Sequence, residues 1–365
     1  MNKINKKLHK FHKFSLLFSF VFFACSKSPT LNMKEHEFGV APKRIIWFQV
    51  AGLTSEQLAL LRFSNLDALN RTDFEKMNCT GQSWAYNLFS IRTTADLGFW
   101  SQILGKKSLK GQCNDFSSLP IWKYLEKDEF KIGIFESLYT EANSISKSLS
   151  CPDVASDYLS NLTLWKMNPF ITPKKLTEEE EKQSLINTFH SSKKQKYQTG
   201  KIYFDQSCNG GGCYSSLMDN VFITFESIAG NPRYLYLVRD FSYLETLKKK
   251  EILKTREALV ELNKILHHFL ILAKSDPDML VLITSSNSIN IELPEQGSNW
   301  LEFEKEGRYT LFHNSSLLSP VFSYGARAEN FCGIFEQSEM LMRIMKEPTE
   351  NNLEKDYFKS YDLSN

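Results

Sequence analysis

The stretch Arg44-Ile-Ile-Trp-Phe-Gln-Val50 is short, apolar and rich in β-branched and aromatic residues. Such a run is typical of a strand that is buried on both faces of a sheet. Ala51-Gly52 ends the run, and Thr54-Ser-Glu-Gln57 then opens an amphipathic helix, because a Thr followed three residues later by Gln can form a capping box. A buried strand followed at once by such a helix predicts an α/β fold.

The same alternation continues along the chain. Further segments with the composition of buried strands are residues 130–135, 221–225, 234–239 and 279–284. Apolar residues at helical spacing predict helices over residues 121–126, 177–189 and 247–274. Strands that alternate with helices predict a mostly parallel central sheet sandwiched by helices. We assign this α/β domain to residues 44–346, with a charged surface insertion at 170–201 and a polar C-terminal tail at 347–365.

The composition excludes several classes of protein. The chain has 365 residues, of which 42% are hydrophobic and 13% aromatic, so it can bury a large core and is not disordered as a whole. Its 44 basic and 42 acidic side chains leave a net charge of +2. Five of the lysines precede Cys25, and the rest of the chain is therefore mildly acidic. This balance argues against nucleic acid as a partner, which a basic surface would bind.

The N-terminus has the order of a secretory signal peptide. A lysine-rich stretch is followed by an apolar run over residues 14–24 and then by Cys25. An apolar helix of this length spans roughly 16 Å, about half of the hydrocarbon core of a bilayer. The run is therefore too short for a transmembrane helix. We expect a signal peptide at 1–24 and a tether at 25–43.

Ala24-Cys25 resembles the lipobox of bacterial lipoproteins, with Phe22 and Phe23 where a Leu and a small residue are usual. The resemblance implies cleavage before Cys25 and acylation of its thiol, for example with palmitate. The membrane would then be a partner through the N-terminal lipid. Ser26 resembles the form passed on to the outer membrane, so we expect a lipid-anchored protein of the cell envelope, facing the periplasm or the cell surface. Plain secretion and an uncleaved anchor are the alternatives.

Six cysteines remain after Cys25, and an even number in an exported protein indicates disulfides. Cys208 and Cys213 are the most secure pair, because the three glycines between them permit a tight turn. We expect Cys79 to pair with Cys113, which leaves Cys151 for Cys332. Six cysteines allow 15 pairings, so these last two pairs are less constrained. No CxxC spacing supports a zinc site.

Four segments of the chain, taken in order, form a recognisable pattern. They are Ile45-Ile-Trp-Phe-Gln-Val-Ala-Gly-Leu53, Arg92-Thr-Thr-Ala-Asp96 with Ile103-Leu-Gly-Lys106, Leu280-Val-Leu-Ile-Thr-Ser-Ser-Asn-Ser288, and Ser319-Pro-Val-Phe-Ser-Tyr-Gly-Ala-Arg-Ala-Glu-Asn-Phe-Cys-Gly333. In this order the segments resemble the alkaline phosphatase superfamily. The resemblance implies an alkaline-phosphatase-like fold and a site at the carboxyl ends of the strands. In that superfamily two metal ions, such as Zn²⁺ or Mg²⁺, activate a hydroxyl nucleophile for phosphoryl transfer.

The metal-binding positions implied by this resemblance are largely replaced. Ala51 stands where the first Asp is expected, and Ser286 and Asn287 stand in place of Asp-His. Asp240 matches a metal-binding Asp, but Leu244 replaces the His that follows it by four residues.

Three further residues are ambiguous. An alignment without a gap places Ala95 at the nucleophile position, and one inserted residue places Thr94 there. Thr94 could equally be the N-cap of a helix that starts at Ala95, and Asp240 could cap a turn. His313 lies near the position of a late metal-binding His, displaced by about one residue, and a lone His at such a place is usually just hydrogen-bonded.

Our leading hypothesis is a binding or structural protein of the envelope that has kept this fold and lost its metal site, with no cofactor. Its partner would be an envelope protein or a polar ligand. The alternative is a metal-dependent phosphoric-ester hydrolase with a rearranged or single-metal site built from Thr94, Asp240 and His313, together with Asp205 or Asp219. A third possibility is that the cleft around Ser286 and Asn287 binds a glycan or a peptide.

Overall fold

The computed structural model describes residues 41–63, 71–152, 158–170, 186–209 and 211–345. All of them belong to one compact unit. The strands are β1 (Arg44–Ala51), β2 (Cys79–Trp84), β3 (Lys131–Ser137), β4 (Leu162–Met167), β5 (Ile186–Phe189), β6 (Ile202–Asp205), β7 (Cys208–Asn209), β8 (Gly212–Cys213), β9 (Tyr234–Asp240), β10 (Met279–Ser286), β11 (Leu318–Gly325) and β12 (Gly333–Glu336).

The α-helices of the described residues lie between and after these strands. They are α1 (Ala59–Phe63), α2 (Ala95–Leu104), α3 (Ile121–Leu125), α4 (Leu217–Ala229), α5 (Ser242–Lys248), α6 (Ile252–Ser275), α7 (Trp300–Glu306) and α8 (Met340–Met345). Short 3₁₀ turns precede α1 and α8 and follow α3. None of the helices in the described part of the chain is long and apolar enough to span a bilayer.

Ten strands form one sheet in the order β12-β2-β11-β10-β1-β9-β3-β4-β6-β5. The strands β10, β1, β9, β3, β4, β6 and β5 run parallel to one another. β11 is antiparallel to both of its neighbours, β10 and β2. The predicted mostly parallel sheet is therefore confirmed, and the quoted stretch forms its central strand β1.

Side chains of β1 alternate between two cores, one on each face of the sheet. Ile46, Phe48 and Val50 pack in the core that contains α4 and α6. Ile45 and Trp47 pack in the core that contains α3, α8 and the side chains of Trp100, Ile103 and Leu104 of α2. Both faces are thus covered by helices, as the run of apolar residues in β1 predicts.

Three predicted elements differ from the structure. Residues 221–225 lie in α4 and not in a strand, because Val221, Phe225 and Ile228 form one buried helical face and Ser216 caps the helix in a capping box with Asp219. The helix predicted over residues 247–274 is divided into α5 and α6, with Lys250 in a left-handed conformation between them. The helix predicted up to residue 189 is wrong at its end, since residues 186–189 form β5; residues 171–185 lie outside the described part.

The predicted Cys208–Cys213 disulfide is present and joins the paired strands β7 and β8. The other two predicted pairs are wrong, because Cys79 pairs with Cys332 and Cys113 pairs with Cys151. Cys79 begins β2 and Cys332 immediately precedes β12, and these two strands are neighbours in the sheet. Strand pairing therefore decides this connection across 253 residues of sequence.

The predicted N-terminal segments lie outside the described residues. They are the signal peptide at 1–24, Cys25, and all but the last three residues of the tether at 25–43. The C-terminal tail at 347–365 also lies outside, and these assignments stay predictions.

Gly98 in α2 allows the helix to approach the end of β10. A Cβ atom on Gly98 would lie 1.7 Å from Ser286 Oγ and 2.9 Å from Gln337 Oε1. We expect Gly98→Ala to lower the free energy of unfolding by about 1–3 kcal/mol, because overpacking must move α2 away from the sheet. Gly230→Ala is the matched control, since nothing lies within 4 Å of its Cβ position. Urea unfolding of both variants checks this, and an equal effect of the two changes would contradict the packing argument.

Candidate functional site

A cleft of about 660 Å³ lies at the carboxyl ends of the central parallel strands. Its walls come from the segments that follow β3, β4, β9 and β10 and from the start of α2. Ligands of open parallel sheets bind at this edge, because the loops after the strands diverge there. The lining residues include Thr94, Asp96, Tyr139, Glu141, Asn143, Asn168, Phe170, Phe241, Leu244, Glu245, Lys248 and Asn287.

Thr94 lies in the wall of this cleft. It occupies the N-cap position of α2 with extended backbone angles, but its side chain makes no capping hydrogen bond. The neighbouring Thr93 is buried and donates its hydroxyl to the Ala85 carbonyl oxygen at 2.7 Å. Of the two threonines, Thr94 is therefore the one whose hydroxyl is available in the cleft.

Asp240 ends β9 and is only 3% exposed. Its Oδ1 accepts hydrogen bonds from the backbone N–H of Ser242 at 2.8 Å and from the Ser242 hydroxyl. Burial raises the pKa of this carboxyl group above its ordinary value, although the Ser242 hydrogen bonds oppose the shift. Asp240 thus caps the turn that leads into α5, and it does not line the cleft.

Leu244 packs on Gly52, the residue that follows Ala51 at the end of β1. Ala51 is fully buried at the end of β1, and Gly52 follows with φ of 86°, a left-handed conformation that favours glycine. Leu244 Cδ1 would lie 2.9 Å from a Cβ atom on Gly52, so the leucine side chain packs directly on the end of β1. Leu244 also lines the cleft, so an apolar group occupies this part of the wall.

The last residue of β10 and the residues after it have different surroundings. Ser286 is fully buried against Gly98, and its hydroxyl has no hydrogen-bond partner in the described part of the chain. Asn287 has φ of 52° and lines the cleft. His313 is exposed and is not among the residues of the cleft wall. The structure therefore brings Thr94, Leu244 and Asn287 together in one wall and leaves His313 outside it.

No family model and no curated protein matches the sequence. Solved alkaline phosphatases, however, match the structure over nearly their whole length. The TAB5 enzyme of an Antarctic bacterium is 15% identical, with a TM-score of 0.63 over 86% of this chain and 99% of its own. The enzyme of a psychrophilic Shewanella is 11% identical, with a TM-score of 0.63 over 83% and 98% of the two chains. The chain has the alkaline phosphatase fold.

A third alkaline phosphatase, from Thermus thermophilus, is 10% identical and has a TM-score of 0.64 over 88% of this chain and 94% of its own. At such low identity the agreement concerns the fold, and the chemistry must be judged from the side chains. The expected alkaline-phosphatase-like architecture is therefore confirmed.

The cleft of this alkaline-phosphatase-like chain does not fit a two-metal centre. Two dications need several anionic or imidazole donors that converge, and Ala51, Leu244 and Asn287 supply no charge. Within the described residues one group of three potential ligands converges, formed by Asp205, Cys208 and Cys213, and both cysteines are held in a disulfide.

The two other carboxylates considered for a rearranged site have structural roles. Asp205 accepts hydrogen bonds from the backbone and hydroxyl of Ser207 and from the Asn220 side chain. Asp219 forms the capping box of α4 with Ser216. Neither residue is among those that line the cleft.

A row of polar side chains crosses five strands beneath the cleft, and sequence reasoning did not identify it. Paired residues of parallel strands share a face, and the register places Thr284, Gln49, Arg239, Glu136 and Lys166 side by side. All five side chains are buried. The available signal was a polar residue near the end of each apolar strand, but only the pairing of the strands shows that these residues form one row.

Glu136 is the centre of this polar row. Its Oε1 accepts a hydrogen bond from Arg239 Nη1 at 2.6 Å, and its Oε2 lies 3.7 Å from Lys166 Nζ. The Ser144 hydroxyl and the Ile145 N–H also donate to it, at 2.5 and 2.8 Å. Burial lowers the pKa of Arg239 and of Lys166, and the Glu136 charge opposes both shifts.

Arg239 links the row to the cleft and to α2. Its Nε donates to Gln49 Oε1 at 3.2 Å, and its Nη1 donates to the backbone oxygen of Asn143, a residue of the cleft wall, at 3.0 Å. Gln49 in turn donates to Gln102 of α2 at 3.0 Å. The Nη2 atom of Arg239 has no hydrogen-bond partner among the described residues. The row therefore fixes the floor of the cleft relative to the helix that carries Thr94.

We expect Glu136→Gln to lower the free energy of unfolding by about 3–5 kcal/mol, because it leaves two buried cations without a counter-charge. Glu226→Gln is the matched control, since Glu226 pairs with Lys194 at the surface. Loss of an exposed pair should cost no more than about 1 kcal/mol. Urea unfolding with a common m-value checks both numbers, and a Glu136 effect as small as that of Glu226 would show that the row is not a stability determinant.

Proposed function

We propose that this chain is a binding protein of the cell envelope that uses the alkaline phosphatase fold without two-metal hydrolysis. The observation that carries this proposal is Leu244, which lines the cleft and packs on Gly52 at the end of β1. The Leu244 side chain offers no ligand atom to a cation, and its apolar surface excludes water from this part of the cleft. A site for two dications would need the opposite environment.

The roles of the surrounding side chains support the same conclusion. Asp240 is the one carboxylate retained at a metal-binding position, and its Oδ1 is engaged by Ser242. Ala51 has no ligand atom, and Ser286 packs against Gly98. Selection for packing without chemistry accounts for this pattern, because the apolar strands persist while the charged donors do not.

The cleft itself is suited to binding a polar ligand. Thr94 and Asn287 line it, and their side chains make no hydrogen bond within the described residues. Such groups can pair with a ligand without first breaking an internal bond. A volume of about 660 Å³ is in the range of small-molecule sites.

Metal content tests this proposal directly. We would express the full-length chain for export in zinc- and magnesium-supplemented medium, purify it in detergent and measure bound metal by elemental analysis. We expect close to zero equivalents of either metal per chain, whereas an alkaline phosphatase purified in parallel should retain its metals. One or two equivalents that are lost in Asp240→Ala and kept in Glu226→Ala would overturn the proposal and favour the hydrolase.

Localisation to the envelope rests on the N-terminal sequence, and we propose that Cys25 carries the lipid anchor. In a bacterial host fed labelled palmitate, the wild-type chain should take up label and sediment with membranes. Cys25→Ser should abolish the labelling, because the acylated thiol is absent. Cys113→Ser serves as the control, since that thiol forms a disulfide in the folded domain. Equal labelling of wild type and Cys25→Ser would refute the anchor.

A further inference from the structure

The walls of the cleft combine apolar rings with charged groups. Tyr139, Phe170 and Phe241 line it together with Leu244. Phe170 is 75% exposed, whereas the rings of Tyr139 and Phe241 already face the buried cations Lys166 and Arg239 at 4.3 and 5.5 Å. Phe170 is therefore the ring that is open to a ligand. Aromatic rings with a negative surrounding charge are the features that recognise organic cations.

One of the three carboxylates that line the cleft forms an ion pair with a lysine. Glu245 forms an ion pair with Lys248 at 3.0 Å. Asp96 and Glu141 make no hydrogen bond or ion pair among the described residues. They are therefore the two cleft carboxylates that no direct ion pair neutralises, although their charges act on the buried cations Arg239 and Lys166.

The buried polar row beneath the cleft has a net charge of +1, which offsets one of the two negative charges of Asp96 and Glu141. Arg239 and Lys166 carry two positive charges, and Glu136 balances one of them. Burial lowers the pKa of Arg239 and of Lys166, and the charges of Asp96 and Glu141 oppose these two shifts. Asp96 and Glu141 together therefore leave the described cleft and its floor with one carboxylate in excess, not counting the buried Asp240. A singly charged cation would neutralise it.

Tyr139 adds a hydrogen-bonding group to the same site. The residue lines the cleft and is only 2% exposed, yet its hydroxyl has no hydrogen-bond partner in the described part of the chain. A buried hydroxyl without a partner is unfavourable, and a hydrogen bond to a ligand hydroxyl or carbonyl would remove this cost.

We propose that the cleft binds a singly charged organic ammonium ion, with Asp96 and Glu141 as its charge partners and Phe170 among its aromatic contacts. This inference rests on the proposed function, because it assigns a ligand class to the same cleft. It also distinguishes this chain from a phosphate-binding site, which would require an excess of positive charge.

The test is isothermal titration of the full-length protein in detergent with three probes. Choline is the cationic probe, 3,3-dimethylbutan-1-ol is its neutral isostere, and inorganic phosphate is the anion. We expect choline to bind at least about tenfold more tightly than the neutral isostere, a difference of about 1.4 kcal/mol. We expect no binding of phosphate. Equal affinity for choline and the isostere, tighter binding of phosphate, or no binding of choline would each overturn the inference.

Variants then locate the site. Asp96→Asn and Glu141→Gln should each weaken choline binding about threefold to tenfold, and Phe170→Ala should weaken it at least about threefold. Glu302→Gln is the matched control, because Glu302 lines a separate acidic cavity with Glu292, Glu295 and Glu306. Thermal unfolding confirms that each variant folds. Loss of choline binding in Glu302→Gln alone would place the cation in the other cavity and overturn the inference.

The outcomes separate this inference from the proposed function. Binding of the neutral isostere as tightly as choline, lost in Asn287→Ala, would reject the cationic ligand and keep a metal-free binding cleft. Stoichiometric metal together with phosphate binding would reject the proposed function itself.

Discussion

The carboxylate of Glu136 is the interaction on which the central sheet and the cleft above it both depend. It lies between Arg239 and Lys166 on the two strands that flank β3. Two buried cations cannot remain in a dry interior without it, because the desolvation of each charge costs several kcal/mol. The carboxylate also accepts the N–H of Ile145 and the hydroxyl of Ser144, and so fixes the loop after β3. One buried charge thus ties three strands to one wall of the cleft.

The chemistry of the cleft of this alkaline-phosphatase-like fold is set by a few residues at the strand ends. The strands remain apolar and in register, so the cleft keeps its place and its size. Leu244 packs on Gly52, and Asp240 turns its carboxylate to the start of α5. The same architecture is therefore compatible with binding a cation by carboxylates and aromatic rings, because the location of the site is set by the sheet and its chemistry by the residues after each strand.

The parts of the fold that the sequence predicted are those with a strong local signal. β1, β3, β9 and β10 were each recognisable as short apolar runs, and the Cys208–Cys213 pair was recognisable from its glycines. The strand predicted over residues 221–225 is wrong, because an apolar run of five residues fits one turn of a buried helix as well as a strand. Of the residues considered for a site, Thr94, Leu244 and Asn287 line the cleft, whereas His313 does not. Tyr139, Glu141 and Phe170 also line it and carry no sequence motif that would have marked them.

The sequence by itself determined the class of fold, because hydrophobic periodicity is a local property. Only the tertiary structure decided which distant residues meet. Cys79 pairs with Cys332 because β2 and β12 are neighbours in the sheet. Gln49, Arg239, Glu136 and Lys166 form one row because parallel strands align in register. Such pairings follow from long-range packing, because the register of each strand is set by which of its faces is buried against the rest of the fold.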